Sequence, residues 1–261
     1  MQIHFLTINI WCGGILLRPL LRYLKETDAD IINMQEVFNG YGQNPAAQPK
    51  DQTPPPEKRF RTLEIFTKEL NYPYMHFAPE CMRKLKEGTF EHGIATFSKY
   101  PIVSSKVTFT HGAYGEIEEK RELFSQMPRN LQHNVIDANG TKLNIFNTHG
   151  IWGEDGRDTP ERITLGKTIA KHVARIEHTV LSGDFNMDPN IEATSYIEKH
   201  LESVFKNELT STFNMKRKDS PGYATAVADM IFTSPDIHVT NKACDLVDVS
   251  DHLPLRITFE I

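Results

Sequence analysis

Cysteine is scarce in this sequence, and long apolar runs are missing. The three cysteines, Cys12, Cys81 and Cys244, are an odd number without CxxC spacing, which argues against a disulfide framework and a cysteine zinc site. No run of about 18 uninterrupted apolar residues occurs, which excludes a transmembrane helix. The N-terminal residues alternate apolar and polar side chains, which predicts a strand and not a signal peptide. We therefore expect a cytoplasmic protein without a membrane partner.

Charge of one sign and chain-breaking residues are not in excess either. The formal net charge is -5 for 261 residues, so nothing global draws the protein to a polyanion, although a local basic patch stays possible. Glycine and proline, 15 residues each, are near average usage, which excludes collagen-like and wholly disordered chains. The length suits a single domain over residues 1–261, in which two packed halves can share one core. We expect a monomer.

Apolar patterning predicts more strands than helices. Leucines at 16, 17, 20, 21 and 24 have helical spacing, and Thr159 before Pro160 is typical of a helix start. The pattern predicts helices over residues 15–27, 61–70, 159–175 and 191–200, and strands over residues 1–10, 29–34, 74–78, 93–98, 102–109, 130–137, 142–147, 179–182, 228–233 and 253–261. Helices fall between some strands in each half, so the predicted class is α+β with largely antiparallel sheets.

Two hydrophilic stretches are interpreted as surface segments. Residues 44–58 contain five prolines and little apolar content, which predicts a loop just after a candidate site residue. Residues 80–91 carry Arg83, Lys84 and Lys86 between glutamates. This stretch is either a basic lip for a phosphorylated ligand or, as we favour, a solvated loop.

Four short polar motifs stand at the ends of apolar runs. They contain Asn9, Glu36, the pair Asp184 and Asn186, and the pair Asp251 and His252. Strand ends and loops are where a rigid scaffold presents catalytic groups. Each motif also has a structural interpretation: a backbone-binding amide for Asn9, a solvated carboxylate for Glu36, and a turn for each pair.

The chemistry of these motifs favours a site for a cation and for proton transfer. Asp184 and Asn186 are two residues apart, so in an extended chain both side chains project to one face. A carboxylate after an apolar strand, as at Glu36, requires a cation if it is buried. Asp251 beside His252 joins a hard-metal ligand to a group that exchanges protons near neutral pH. Two further candidates lie at the ends of apolar runs, His149 and Asp229.

In their order along the chain, these motifs resemble the endonuclease/exonuclease/phosphatase superfamily, which includes DNase I-like nucleases, sphingomyelinases, inositol polyphosphate 5-phosphatases and tyrosyl-DNA phosphodiesterases. The resemblance rests on Gln35-Glu36, Gly183-Asp184-Phe185-Asn186 and Ser250-Asp251-His252. Segments 93–102 and 147–149 resemble further motifs of the family. The resemblance implies a DNase I-like fold, which is a four-layer α/β/β/α sandwich of two packed, mostly antiparallel sheets. It also implies a site at one edge of these sheets.

The resemblance implies a metal and a water-activating group. Asn9, Glu36 and Asp251 match the positions that hold a divalent cation, usually Mg²⁺ or Mn²⁺, and oxygen ligands suit such hard ions. Asp184 matches the residue that orients or deprotonates the attacking water. Asn186 matches the amide that holds phosphate or metal-linked water.

Two histidines and a polar pair complete the implied site. His252 matches the proton-transferring or charge-stabilising histidine, and Asp229 matches the carboxylate that favours its imidazolium form. His149 matches the histidine that DNase I-like members use against the leaving group or a phosphate oxygen. Arg129 and Asn130 fall where several members place phosphate-binding side chains, with a solvated loop pair as the alternative.

The implied function is hydrolysis of a phosphate ester. Trp152 lies close to a motif residue, where it can stack on a base of the substrate or pack in the core. We expect Mg²⁺-dependent cleavage of a phosphodiester, in nucleic acid or a nucleotide-derived substrate, by metal-assisted in-line attack of water. Two alternatives stay open: a phosphatase of a small phosphorylated metabolite or inositol phosphate, and a non-catalytic metal-binding interaction module.

Overall fold

The computed structural model of the chain describes residues 1–41, 60–85, 88–118, 121–218 and 226–261. The α-helices in these ranges are α1 (Leu17–Thr27), α2 (Thr62–Glu69), α3 (Pro160–Val173) and α4 (Glu192–Ile197). A short 3₁₀ helix covers Arg121–Gln126. None of the described helices is both long and apolar enough to cross a membrane. The loop predicted over residues 44–58 lies outside the described residues.

The strands build two sheets. In chain order they are β1 (Gln2–Asn9), β2 (Ile31–Tyr41), β3 (Tyr74–Leu85), β4 (Gly88–Ser98), β5 (Ile102–His111), β6 (Glu116–Ile117), β7 (Arg129–Ala138), β8 (Thr141–His149), β9 (Thr179–Asp184), β10 (Glu202–Ser203), β11 (Asp229–Thr233), β12 (His238–Cys244) and β13 (Leu255–Glu260). The first sheet has the order β12-β13-β1-β2-β4-β3-β6, and the second has the order β10-β11-β9-β8-β7-β5. Only β1–β2, β3–β6 and β8–β9 pair in parallel among the described strands.

Three apolar clusters lie between the four layers, one between each sheet and its helices and one between the two sheets. Helices α1 and α2 cover one face of the first sheet, where Leu20 and Phe66 join the same cluster as Ile8. Helices α3 and α4 cover the second sheet in the same way, through residues such as Leu165 and Ile197. Between the sheets lies a third cluster, with members on strands of both sheets. The result is the expected four-layer α/β/β/α sandwich.

The space between the sheets changes from apolar to polar along β1. Ile3 and Phe5 face the inter-sheet cluster, so the period of two places Thr7 and Asn9 on the same inner face. There the side chains are buried and polar, and hydrogen bonds join the two sheets. Gln35 Nε2 of β2, for example, donates to Asn147 Oδ1 of β8 at 2.8 Å. This polar end of the inter-sheet space supports the candidate site.

The observed strands are longer or more numerous than the predicted ones mainly where the sequence is rich in polar and charged residues. β2 continues past Met34 to Tyr41, and β3 and β4 extend over most of the stretch predicted as a solvated loop at 80–91. In that stretch Arg83 is buried, so the loop prediction was wrong there. β12 was not predicted, because its residues are mostly polar and it lies at the edge of the first sheet. The start of α3 was predicted correctly: Thr159 accepts a hydrogen bond from Arg162 N, and Pro160 follows it.

Candidate active site

Two β-bulges turn carboxylates into the polar end of the inter-sheet space. β2 and β3 flank β4, and Val37 of β2 and Pro79 of β3 both pair with Gly93. In each flanking strand the pairing register shifts there, which re-aims the residue within the bulge, Glu36 or Glu80. Glu36 has a φ of 60°, a conformation that is uncommon for a residue with a side chain. Gly93 is required because a Cβ there would lie 2.3 Å from Ala78 O.

Asn9 joins the two halves of the site. Its Nδ2 donates to Glu36 Oε1 at 3.1 Å and to Asp184 Oδ2 at 3.0 Å, while its Oδ1 accepts from Trp11 N at 3.0 Å. This network fixes the amide orientation, because an N–H must meet an oxygen and each carboxylate must meet a donor. The Asn9 oxygen accepts from the backbone in this arrangement, and its predicted role as a metal ligand stays a prediction. Asn9 holds Glu36 and Asp184 at a fixed separation.

Glu36 is held in its ionised form. Its Oε2 accepts a hydrogen bond from the Cys12 N–H. Burial alone would raise the pKa of the Glu36 carboxyl. The pKa lies below its ordinary value because His149 and His92 are protonated in the acid range where the carboxyl titrates, and because the Cys12 N–H and Asn9 Nδ2 donate to it. A carboxylate that stays charged in a half-buried position is suited to a cation.

Asp184 and Asn186 form a turn at the end of β9, and hydrogen bonds within and beside the turn orient both oxygens of Asp184. Asn186 N donates to Asp184 Oδ1 at 2.9 Å, which is the Asx turn that the sequence left open. Oδ2 of Asp184 accepts from Asn9 Nδ2, with Asn186 Nδ2 at 3.3 Å. The strands are close here, since a Cβ on Gly150 would lie 1.7 Å from Phe185 O. Gly150 thus lets the end of β8 approach the end of β9.

We name Asp184, Asp229 and His252 the aspartate cluster. All three side chains are buried. His252 Nδ1 lies 2.8 Å from Asp229 Oδ2, and His252 Nε2 lies 3.8 Å from Asp184 Oδ2. Burial alone would lower the pKa of His252, but the carboxylates of Asp229 and Asp184 raise it to about 10. Burial raises the pKa of Asp184. His252 is therefore an imidazolium at neutral pH.

We name Glu80, His92, Arg129 and His149 the arginine cluster, which is also buried. Arg129 Nη1 lies 2.9 Å from Glu80 Oε2 and 3.2 Å from His149 Nδ1. Burial, followed by the charges of Arg129 and Arg83, lowers the pKa of His92 to about 3. Burial and the Arg129 charge hold the pKa of His149 well below its ordinary value. Both imidazoles are therefore neutral at neutral pH.

Arg129 also sets the tautomer of His149. A guanidinium N–H only donates, so Nδ1 of the neutral imidazole must accept and Nε2 must carry the proton. Nε2 lies 3.6 Å from Asp184 Oδ2. His149 can thus donate one hydrogen bond into the space in front of Asp184.

The two clusters meet at one cavity of about 230 Å³. Its wall includes the predicted site residues Glu36, Arg129, His149, Trp152, Asp184, Asn186, Asp251 and His252. Trp152 packs edge-on against Phe124, with 5.9 Å between the ring centroids, so an aromatic pair stands at this wall. Asp229 lies behind the wall, where its carboxylate forms a hydrogen bond with the cavity-lining His252.

Asn130 is the predicted site residue that the structure places elsewhere. It is fully buried and does not line the cavity, and its Nδ2 donates to Pro79 O at 3.1 Å. It holds β3 next to the bulge at Glu80 and does not present an amide to a substrate. The alternative of a solvated loop pair is wrong, because Arg129 is buried and begins β7.

Glu80, His92 and Lys218 were not among the predicted site residues, and Arg83 was assigned to a stretch that we favoured as a solvated loop. Arg83, His92 and Lys218 line the cavity, and Glu80 holds Arg129 behind it. Glu80 and Arg83 lie in a stretch of mixed charges, a pattern typical of a solvated face, so the local sequence carried no signal for them. Both are buried in β3, which pairs with β4.

The donor set at the cavity fits a hard divalent cation at Glu36 and Asp251. Both offer carboxylate oxygens to the cavity, and oxygen is the ligand that Mg²⁺ and Mn²⁺ prefer. Two other groups bring three possible ligand atoms within 4.8 Å: Glu80, His92 and His149, and Asp184, Asp229 and His252. Arg129 already occupies the space between Glu80 and His149, and the imidazolium of His252 has no lone pair to offer. Glu36 and Asp251 are thus the better pair.

Comparison with known families gives one match over nearly the whole chain. The model of the Endonuclease/Exonuclease/phosphatase family matches residues 6–252. No curated protein matches the chain at a significant level. The family match covers the motifs at Asn9, Glu36, Asp184 and His252.

Solved structures share the fold at low sequence identity. A protein of the same family from Beutenbergia cavernae is 18% identical with a TM-score of 0.72, over 100% of this chain and 72% of that chain. The human Nocturnin catalytic domain with bound sulfate is 17% identical with a TM-score of 0.69, over 99% and 94%. TDP2 of D. rerio, complexed with a single strand DNA product, is 16% identical with a TM-score of 0.69, over 100% and 99%. These similarities confirm the DNase I-like fold.

Proposed function

The chain belongs to the endonuclease/exonuclease/phosphatase family, and we propose that it hydrolyses a phosphodiester in nucleic acid or in a nucleotide-derived substrate. Members of this family are divalent-metal-dependent hydrolases that act on phosphate esters. The observation that supports the proposal is the convergence on Asp184. Its Oδ2 lies 3.6 Å from His149 Nε2 and 3.8 Å from His252 Nε2, in a cavity that Glu36 and Asp251 also line.

Glu36 and Asp251 are the proposed ligands of Mg²⁺ or Mn²⁺. When bound, the cation supplies positive charge beside the non-bridging oxygens of the phosphate. Asn9 keeps the Glu36 carboxylate in place through its Nδ2. Ser250 Oγ donates to Asn9 O at 2.7 Å, which ties the Asp251 segment to the end of β1.

Asp184 is the proposed acceptor for the attacking water. Burial raises the pKa of Asp184 to about 6, so the carboxylate is ionised at neutral pH and is basic enough to take a proton. Its Oδ1 is fixed by Asn186 N, and its Oδ2 lies towards the two histidines. A water bound to Oδ2 is therefore held in one direction for attack in line with the leaving oxygen.

The two histidines have different proposed tasks. The His252 imidazolium places a cationic N–H beside the phosphate, where it stabilises the negative charge of the transition state. His149 is neutral and donates one hydrogen bond from Nε2, which suits a phosphate oxygen or the leaving oxygen. Trp152 and Phe124 supply an aromatic wall that can stack on a planar leaving group such as a base.

The structural neighbours support both the leading and the alternative substrate class. One neighbour is TDP2 with a single strand DNA product, and another is a mannosyl-6-phosphatase of Bacteroides thetaiotaomicron, 16% identical with a TM-score of 0.65 over 99% of this chain and 100% of that chain. The aromatic pair at the cavity favours the nucleotide-derived phosphodiester. A phosphatase for a small phosphorylated metabolite is the alternative.

A substrate panel tests the proposal. Hydrolysis of single- and double-stranded DNA, RNA, nucleotide phosphodiesters, sugar phosphates and inositol phosphates would be measured with Mg²⁺ or Mn²⁺ and with EDTA. We expect metal-dependent turnover of a phosphodiester that Asp184→Asn abolishes. The matched control is Asp28→Asn, an exposed residue in a left-handed conformation that asparagine tolerates. Turnover only of monoesters would favour the phosphatase, and turnover unaffected by Asp184→Asn would contradict the site.

A further inference from the structure

The ammonium group of Lys218 forms an ion pair with Asp251, one of the two proposed metal ligands. Its Nζ lies 2.7 Å from Asp251 Oδ2, and the side chain is 30% exposed while that of Asp251 is 8% exposed. Nζ also lies over the ring of Phe213, 4.8 Å from the centroid. Phe213 in turn packs against the imidazole of His252, at 4.6 Å between centroids. Lys218 is thus seated on the wall of the catalytic cavity.

The carboxylates around this ammonium are the proposed metal site itself. Burial alone would lower the pKa of Lys218, but Asp251, and beyond it Glu36 and Asp184, raise it. The cations that line the cavity in the described part of the chain are Arg83, Arg129, Lys218 and His252. Lys218 is the one that pairs directly with Asp251, so a cation of the chain already meets this proposed metal ligand.

An ammonium and a divalent cation at the same carboxylate repel each other, and each binds the carboxylate less strongly when the other is present. We propose that Lys218 competes with the divalent cation for Asp251, so that metal binding requires the ammonium to leave this carboxylate. The inference rests on the proposed metal site at Glu36 and Asp251. Lys218 therefore weakens the affinity of the protein for the metal. When the metal binds, the Lys218 ammonium leaves Asp251 and stays at the rim of the cavity.

Calorimetric titration of the metal-free protein with Mn²⁺ tests the competition. For Lys218→Gln we expect the Kd for Mn²⁺ to fall about fivefold, the factor expected when a competing, partly exposed ion pair is removed. Lys218→Arg keeps the charge, so its Kd should stay near that of the wild type. Lys216→Gln removes the same charge from an exposed side chain two residues away, and it should change the Kd much less. An unchanged or higher Kd for Lys218→Gln would overturn the proposal.

A measurement on the unmodified chain keeps the test independent of folding of the variants. Acetylation of lysines by an amine-reactive reagent, read by mass spectrometry, should speed up at Lys218 when Mn²⁺ is added, relative to Lys216. A labelling rate at Lys218 that stays constant while calorimetry shows Mn²⁺ bound would contradict the exchange and leave the metal site intact. Absence of any Mn²⁺ binding by the wild type would instead contradict the proposed metal site at Glu36 and Asp251.

Discussion

The aspartate cluster and the arginine cluster each place a buried carboxylate beside a histidine, yet their imidazoles differ in charge. Each cluster is buried, and each has a carboxylate oxygen within 3.8 Å of an imidazole nitrogen. The pKa of His252 rises to about 10, against burial, through Asp229 and Asp184. In the arginine cluster, burial and Arg129 hold the pKa of His149 well below its ordinary value. A carboxylate beside a histidine therefore does not decide the charge of the ring.

The difference comes from where the positive charge is fixed. In the arginine cluster the Arg129 guanidinium pairs with Glu80, and it cannot give up its proton near neutral pH. A second positive charge on His149 would meet this cation at 3.2 Å in a buried place. In the aspartate cluster His252 contacts the carboxylates of Asp229 and Asp184, and among the described residues no arginine forms a hydrogen bond with a member of this cluster. The imidazole itself therefore becomes the cation. One ring is thus suited to charge stabilisation and the other to donation of a single hydrogen bond.

The largest effect is expected in the aspartate cluster. His252→Gln retains a hydrogen-bonding group but loses the positive charge, so kcat should fall by about a thousandfold, as when an electrostatic stabiliser of a transition state is removed. The measurement is kcat at pH 7 on the ester that the panel identifies, with circular dichroism to confirm folding. A loss of less than about tenfold would show that the charge of His252 is not used.

A loss of stability is expected next, in the arginine cluster. Glu80→Ala leaves the Arg129 guanidinium buried without its carboxylate, which should lower the free energy of unfolding by about 3 kcal/mol. Urea unfolding at pH 8 measures it. The control is Glu116→Ala, which removes an exposed partner of Lys84 and should cost less than about 1 kcal/mol. Equal losses in the two variants would contradict the buried ion pair.

Replacement of the neutral histidine should cost less activity than replacement of the charged one. In His149→Gln the amide N–H can still donate a hydrogen bond, so we expect kcat to fall only about fiftyfold, less than for the charged group. The same assay and pH as for His252→Gln make the two values comparable. A greater loss at His149 than at His252 would reverse the proposed assignment of tasks.

The smallest effect concerns stability in acid. The pKa of His92 is lowered from 6.5 to about 3 in the folded chain, so below pH 6.5 the unfolded chain binds a proton that the folded chain does not. The stability contributed by the neutral ring is present above pH 6.5 and is lost as the pH falls towards 3. His92→Phe, which can pack on Phe38, should lose about 1 kcal/mol less than the wild type between pH 7 and pH 5.5. An equal loss in both proteins would contradict a buried neutral His92.

The aspartate cluster could be located from the sequence, because its residues end or begin apolar strands. They were predicted as separate strand-end candidates, and in the structure the pairing of β9 with β11 places Asp184 opposite Asp229. The position of Glu36 was predicted only as a residue past a strand. Its side chain reaches the cavity because a bulge interrupts β2, and no local pattern in the sequence indicated that bulge.

The arginine cluster could be predicted only in part. Arg129 and His149 were candidates, but Glu80 and His92 were not, because their burial depends on contacts between distant strands. Glu80 lies in a stretch of mixed charges that is typical of a solvated face, yet in the structure it is buried and pairs with Arg129 of the other sheet. Arg129 was predicted as a phosphate-binding residue. It lines the cavity, and its Nη1 contacts Glu80 and His149. Asn130 was predicted beside it and holds the backbone of β3.

The opposite charges of the two imidazoles are tested most directly by ¹⁵N NMR of the histidine ring nitrogens during a pH titration of the metal-free protein. Assignments would come from the variants His252→Gln, His149→Gln and His92→Phe. We expect His252 to stay protonated up to about pH 9, and His149 and His92 to stay neutral down to about pH 5. Loss of the His252 proton near pH 6.5, or protonation of His149 above pH 6, would contradict the assignment of one charged and one neutral histidine.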